Sequence, residues 1–200
     1  MPSTETSEVS ADESTGPGRD RSVSLSRAHT ADLNADERAR IRAFLDEAFD
    51  GDFAHDDWEH ALGGVHVLAY DAGKVVGHAS VVQRRLTHRG LGIRTGYVEA
   101  VAVRAERRGR GLGSALMEEV EGLVLRAYDL GALSAVERAR RLYERRGWKA
   151  WAGETWVLSP DGPRRTPDED DSVLVLETPT SPEVDLTATL ACDWRPGDVW

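Results

Sequence analysis

Glycines at 109, 111 and 113 stand where a β-branched run gives way to an apolar periodic one: Val101-Ala102-Val103-Arg104-Ala105-Glu106-Arg107-Arg108-Gly109-Arg110-Gly111-Leu112-Gly113-Ser114-Ala115-Leu116. A strand that turns through glycines into a helix gathers main-chain N–H groups at the positive end of a helix dipole. That makes an anion site. Glycine also lets a phosphate approach the main chain closely. Two familiar phosphate loops fail in detail. A Walker loop needs Lys before its Ser or Thr, and Gly113 precedes Ser114. A dinucleotide fingerprint counted from Gly109 and Gly111 needs a third glycine where Ser114 stands, and an acid ending the next strand is missing. A tight strand-to-helix connection would also use these glycines without any ligand.

Other reactive side chains offer less. Cys192 is the single cysteine, so no disulfide forms within the chain and a reducing cytoplasm is expected. It reads as a buried structural thiol. His55, His60, His66, His78 and His88 lack metal-ligand spacing, so no metal is expected.

The surrounding pattern supplies elements to position the turn. Ser22 to Thr30 reads as a first strand. Asn34 opens a helix with Glu37 completing a capping box, and Ile41, Phe44, Leu45 and Ala48 follow at helical spacing up to Asp50-Gly51. Asp52 to Trp58 is acidic and aromatic, a loop or short helix. Val65 to Tyr70 and Val75 to Arg84 read as a hairpin about Asp71-Ala72-Gly73, and Thr87 to Gly92 as a further turn. Tyr97 to Val103 is apolar on both faces and should be central in the sheet. Leu112 to Tyr128 is a helix with an expected stripe of Leu112, Leu116, Val120, Leu123 and Ala127. Leu130 to Leu133 is a short strand. Ser134 with Glu137 reads as a second capping box, opening a helix that stops at Gly147. Trp148 to Leu158 reads as a strand, 159 to 171 as a Pro-rich and then acidic loop, and Val173 to Leu176 and Leu186 to Trp194 as closing strands. The class is α+β.

Composition bounds the function. The 200 residues suffice for one domain with a sizeable core, and 30% charged against 40% hydrophobic is ordinary for a globular chain. No apolar run approaches the ~18 residues of a membrane span. Residues 1–21 are polar without a signal-peptide pattern and are expected to be a disordered tail; residues 22–200 are expected to be a single domain. The net charge is −10, of which Glu5, Glu8, Asp12, Glu13 and Asp20 against Arg19 account for −4. The remaining −6 disfavours nucleic acid and suits a polycationic small molecule, although it also serves solubility alone.

The arrangement Arg108-x-x-Gly111-x-Gly113 after such a strand resembles the pyrophosphate motif of the GNAT superfamily of N-acetyltransferases. The helix Ala139 to Arg146 with Tyr143, then Gly147-Trp148, is similar to that superfamily's closing helix. The segments Gly51-Asp52-Phe53, Asp57-Trp58-Glu59-His60, Leu62-Gly63-Gly64, Gln83-Arg84-Arg85-Leu86, Gly96-Tyr97-Val98-Glu99, Leu130 to Ser134, Thr166-Pro167-Asp168 and the ending Cys192-Asp193-Trp194-Arg195-Pro196-Gly197-Asp198-Val199-Trp200 resemble one branch, the aminoglycoside 2′-N-acetyltransferases. The likeness spans roughly residues 24 to 200.

That resemblance implies a GNAT fold, a central mixed, mostly antiparallel sheet flanked by helices. It implies acetyl-CoA as co-substrate and an aminoglycoside amine as acceptor. The N–H groups of Arg108, Gly109, Arg110, Gly111, Leu112 and Gly113 would hold the CoA pyrophosphate, and the backbone of Val101, Ala102 and Val103 the pantetheine arm. An N–H near Val101 would stabilise the oxyanion. Glu99 would be the general base, through water, since burial raises a carboxyl's pKa; pairing with an arginine in the core is the other explanation of an acid there. Tyr143 would protonate the departing thiolate, or be a plain core tyrosine. Asp52, Glu99, Ala100, Ser134, Asp168, Glu169, Asp198 and Trp200 would line the sugar site, with Asp170 and Asp171 as alternatives to Glu169. A homodimer is expected by analogy with the superfamily. Two other functions fit the same residues: a GNAT enzyme acting on a polyamine, a cell-wall amino sugar or a protein N-terminus, and an acyl-CoA sensor without turnover.

Overall fold

The computed structural model describes residues 23–200. The expected tail at residues 1–21 lies outside the described residues. Strand β1 (Val23–His29) leads through a 3₁₀ turn into α1 (Ala35–Ala48) and α2 (His55–Ala61). Then come β2 (Val65–Asp71), β3 (Lys74–His88) and β4 (Leu91–Val103) as a meander. Helix α3 (Leu112–Ala127), β5 (Leu130–Ser134), α4 (Glu137–Glu144) and β6 (Lys149–Ala150) follow. The chain closes with β7 (Thr155–Ser159), β8 (Gly162–Arg165), β9 (Val173–Glu177) and β10 (Leu190–Asp193).

All described strands join one sheet, with β6-β9-β5-β4-β3-β10-β7-β8 in order. The first half of β3 also pairs with β2, which pairs with β1. The β4–β5 and β10–β7 pairings are parallel and the other described pairings antiparallel. This is the expected mixed α+β architecture.

Period-2 alternation sorts the side chains. Val67 and Ala69 of β2 turn to one face, where Leu116, Met117, Val120 and Val124 of α3 cover them. Leu68 turns to the other face and meets Ile41, Phe44 and Leu45 of α1. A third cluster, with Tyr97, Trp151, Val157 and Trp200, fills the second half of the sheet. The α3 stripe departs from expectation. Met117 and Val124 are buried and Ala127 is exposed, because the helix crosses the strands so that its contact line follows i, i+1, i+4 and i+8.

Other expectations shift. Ser134 does not cap α4: it remains in β5 opposite Val173, and the N-cap is Val136 without a side-chain bond. The expected strand Trp148–Leu158 is cut between β6 and β7. At Gly153 the chain passes so close to Ala188 that an added Cβ would sit 2.0 Å from its carbonyl oxygen. The expected 159–171 loop contains β8, an end strand whose edge position tolerates Pro163. β10 begins only at Leu190, after a turn closed by Ala188 N–H donating to Asp185 O (3.1 Å).

Candidate active site

β4 carries one extra residue against β3. The register moves between His78↔Ala102 and Ser80↔Glu99, and Ala100 takes φ +51°, left-handed for a residue with a Cβ. The bulge inverts the alternation. Val98 faces α3, and so do Val101 and Val103, while Ala100 and Ala102 face α1. On its other edge β4 pairs with β5 at Thr95–Tyr97. From Val98 to Val103 that edge has no strand partner among the described residues.

The freed edge runs into the glycine turn. Gly109 and Gly111 have φ +74° and +80°, and a Cβ on either would meet nothing within 4 Å. Glycine is needed there for the backbone, not for room. The Arg108 N–H donates to Ala105 O (3.2 Å) in the turn that precedes the glycines. Its guanidinium donates to Val103 O and Ala48 O (3.0 and 3.3 Å), bracing the turn against β4 and the end of α1. The first bond within α3 is Ala115 N–H to Gly111 O (3.0 Å). The N–H groups of Leu112, Gly113 and Ser114 precede it and point out of the positive end of the helix.

Glu99 lies one residue before the bulge, its side chain 14% exposed. Arg195 donates to Glu99 Oε1. The same guanidinium reaches a main-chain oxygen of Trp200 (2.8 Å), and its Nε reaches Asp198 O (2.9 Å). Burial pushes the Glu99 carboxyl above its ordinary value, Arg195 pulls it back, and the net direction is upward. The two readings of Glu99 therefore meet in one residue: it is paired with an arginine, and it remains a stronger base than a free carboxylate. Tyr97 beneath it is flanked by the guanidinium carbons of Arg84 (4.7 Å) and Arg195 (5.5 Å). Arg84 is tied to Asp193 through Oδ1 (2.9 Å) and its main-chain oxygen (2.7 Å).

A chain of contacts ties the ending of the sequence to the acidic turn Pro167–Glu169. The Trp200 indole is buried, 3% exposed, and its Nε1 donates to Thr166 Oγ1 (2.9 Å). This side chain is therefore an anchor, and its main chain is held by Arg195 and Asp198. Gly197 abuts Asp56 of α2, and His60 Nε2 lies 2.8 Å from Pro196 O. Ser134 Oγ lies 3.1 Å from both Glu169 Oε2 and Ser172 Oγ. Glu169 is thus the acid brought to Ser134. Asp170 is committed elsewhere: it binds Arg165 and accepts from Thr155 N–H (3.0 Å) and Oγ1 (2.9 Å). The Arg165 guanidinium and these donors hold its carboxyl down to about 2. The main-chain oxygen of Asp171 accepts from Arg140 (3.0 Å). Asp168 and Asp198 are exposed, and Asp198 Oδ1 accepts from Trp200 N–H (3.1 Å). Asp52 stands apart, exposed in the α1–α2 turn with its N–H on Phe49 O (3.0 Å).

Tyr143 sits in α4 in the cluster that contains Val98, against which Val101 and Val103 pack. Its ring meets Trp148 edge-on at 6.2 Å between centroids. Burial pushes its hydroxyl up to about 12, so it keeps its proton at neutral pH. Gly147, φ +91°, closes the helix end as expected, with Trp148 N–H on Tyr143 O (3.2 Å).

The structure therefore gathers Glu99, Asp198 and Trp200 on Arg195, pairs Ser134 with Glu169, and sets Ala100 at the bulge beside Glu99; Tyr143 packs in the cluster against which Val101 and Val103 of β4 lie. Sequence reasoning gave Arg195 no role. The signal was available in the acid itself, since a carboxylate inside an apolar strand requires a cation nearby.

Residues 31–148 match the acetyltransferase (GNAT) family. The chain is 51% identical over 174 residues to a curated aminoglycoside 2′-N-acetyltransferase of Mycolicibacterium fortuitum, covering 86% of this chain and 89% of the relative. Among solved structures, Escherichia coli ElaA is similar with a TM-score of 0.56 at 16% identity, covering 78% of this chain and 99% of that one. The E. coli GNAT family N-acetyltransferase YhbS in complex with CoA also scores 0.56 at 16% identity, covering 90% and 93%. At such identities these structures speak for the fold. With the unpartnered β4 edge, the bulge and the glycine turn in place, the chain belongs to the acetyltransferase (GNAT) family, in the branch of the aminoglycoside 2′-N-acetyltransferases.

Proposed function

We propose that this protein transfers the acetyl group of acetyl-CoA to the 2′-amine of aminoglycosides, and so confers resistance to them. The observation that carries the reading is the β4 edge, without a strand partner after Tyr97 among the described residues and followed, through a 3₁₀ turn at Ala105–Arg107 and the glycines, by the N-terminus of α3. Such an edge offers main-chain partners to the amides of pantetheine, and the helix end offers N–H groups to a diphosphate. Gly113 supports this. Its φ is ordinary, and a Cβ there would meet Leu142 and Val103 only at 3.8 and 3.9 Å. Neither backbone nor packing demands glycine, whereas close approach of a ligand does.

Acetyl transfer would proceed by direct attack. The acceptor ammonium gives its proton through water to Glu99, whose raised pKa favours this. The free amine adds to the thioester carbon, forming the C–N bond. An N–H near Val101 takes the oxyanion, and the C–S bond then breaks. The thiolate leaves with the proton of Tyr143, the second proton lost from the attacking nitrogen passes through water to restore Tyr143, and Glu99 returns its own to solvent. The net reaction consumes an ammonium and a thioester and yields an amide, a thiol and one proton.

On the acceptor side Asp168, Glu169 and Asp198 offer anions to a ligand with several ammonium groups and Ser134 a hydroxyl, while Asp52, apart from these in the α1–α2 turn, would reach only an extended ligand. The Ala100 main chain adds a contact beside the base. A cytoplasmic site suits the lone buried thiol of Cys192, and among the described residues no helix is long and apolar enough to cross a membrane. A homodimer is the assembly we infer by analogy with the superfamily. The test is thiol release from acetyl-CoA with paired aminoglycosides. Compounds with a 2′-amine should turn over and those with a 2′-hydroxyl should not. Equal rates on both, or turnover only of polyamines or amino sugars, would replace this acceptor.

A further inference from the structure

Beneath the bulge lies a line of buried side chains that the catalytic scheme leaves unused. The extra residue in β4 breaks the ladder, and two carbonyl oxygens there are met by β3 side chains instead. Ser80 Oγ lies 3.4 Å from Glu99 O, and His78 Nδ1 lies 2.8 Å from Ala100 O. His78 Nε2 lies 2.9 Å from His66 Nδ1, and His66 Nε2 lies 2.9 Å from Thr30 Oγ1. Thr30 Oγ1 in turn accepts from Gly63 N–H (2.9 Å). Ser80, His66 and His78 are all fully buried, 0% exposed.

The carbonyl at one end sets the direction of every proton. Ala100 O can only accept, so His78 carries its proton on Nδ1 and presents Nε2 as an acceptor. His66 must then donate from Nδ1, and its Nε2 accepts from Thr30, whose one hydroxyl proton goes to that nitrogen at 2.9 Å in place of the longer contact with Gly64 O at 3.2 Å. Both rings are neutral in this arrangement, and every ring nitrogen is satisfied. Burial lowers both histidines in the same sense, to about 4 for His66 and about 3 for His78. This is a fixed series of donors ending on the one strained residue of the central strand, Ala100 at φ +51°.

We propose that His78, oriented by His66, is a positioning residue for acetyl transfer: its Nδ1–H holds the Ala100 carbonyl and so fixes the bulge that aims the Glu99 side chain and the Val101 N–H. The inference rests on the acetyl-transfer reading above. It differs from a purely structural role because the held group adjoins both the base and the oxyanion donor; the pantetheine edge starts at the next residue, Val101, while the turn that would hold the diphosphate lies about ten residues on.

Two arms test it. In the first, ¹⁵N-histidine spectra of the wild-type protein should show His66 and His78 as neutral Nδ1–H tautomers from pH 5 to 8. An Nε2–H tautomer or an imidazolium at His78 would overturn the proposal whatever the enzyme's substrate. In the second, kcat and the acetyl-CoA KM are measured for His78→Asn, His78→Gln and His78→Leu, with folding checked by thermal melting. Asn places an amide N–H where Nδ1 stood; Gln places it where Nε2 stood. His78→Asn should keep kcat within about threefold of wild type. His78→Gln, and His78→Leu where it folds, should lose at least about tenfold in kcat, with the acetyl-CoA KM changed by less than about threefold because the diphosphate turn is left in place. Equal losses in the Asn and Gln variants, or no loss in either, would overturn it. Absence of turnover in the wild type would instead refute the acetyl-transfer reading, with the tautomer arm still deciding the proton arrangement.

Discussion

Arg195 donates to Glu99 across 96 residues of chain, and with the same guanidinium holds Trp200 and Asp198. One cation thus joins the central strand to the closing segment. Its consequence for chemistry follows from sign. Arg195 favours the charged form of Glu99 against the burial that disfavours it. Replacing Arg195 by Leu should therefore raise the Glu99 pKa further. The acid limb of the kcat/KM profile, which rises as Glu99 loses its proton, should move to higher pH by at least about one unit. An unmoved acid limb would mean that Glu99 is not the group reporting in that profile.

Glu99→Gln removes the base while retaining shape and most of the hydrogen bonding to Arg195. The rate should fall about 100-fold or more, with acetyl-CoA affinity by calorimetry nearly unchanged. Parallel loss of rate and affinity would make Glu99 a structural partner of Arg195 and nothing more.

Tyr143→Phe should lower kcat by about 100-fold at unchanged acetyl-CoA KM, since the wild-type hydroxyl keeps its proton at neutral pH. Because Tyr143 is buried against Trp148, melting temperatures belong beside the kinetics. A variant as fast as wild type would return Tyr143 to the core.

The local features were legible in the sequence. Asn34 and Glu37 form the expected reciprocal cap, at 3.0 and 2.8 Å, because both partners lie within one turn. The glycine turn, the second half of the central strand (expected from Tyr97, observed from Leu91) and the span of α3, though not its buried stripe, were legible for the same reason. Ser134 carried an identical cap signal and does not use it, because pairing with β9 keeps it in a strand and Glu169 claims its hydroxyl. Which acid meets Ser134 depended on the commitment of Asp170 to Thr155 and Arg165, a tertiary fact. His66 and His78 showed no spacing that mattered until β2 and β3 aligned in register. Arg195 lay inside a motif already noticed, but its partner is set only when the closing segment folds over β4.

Ser134→Ala and Glu169→Gln should each raise the KM for the aminoglycoside about tenfold with the acetyl-CoA KM unmoved. Asp170→Asn should spare that KM and lower stability instead. The Asp170 carboxyl is held at about 2 in the folded chain against about 3.9 unfolded. Its contribution is present above pH ~4 and is lost as the pH falls towards about 2. Melting curves of wild type and Asp170→Asn should therefore differ at pH 7 and converge near pH 2. A constant difference across that range would contradict the pairing.

The central claim is that the unpaired β4 edge and the turn before α3 together grip coenzyme A and point its thioester at Glu99. A crystal structure with coenzyme A measures this directly. The diphosphate should lie on the N–H groups of Leu112, Gly113 and Ser114, with pantetheine along Val101 to Val103. Coenzyme A bound elsewhere, with this turn empty, would contradict it.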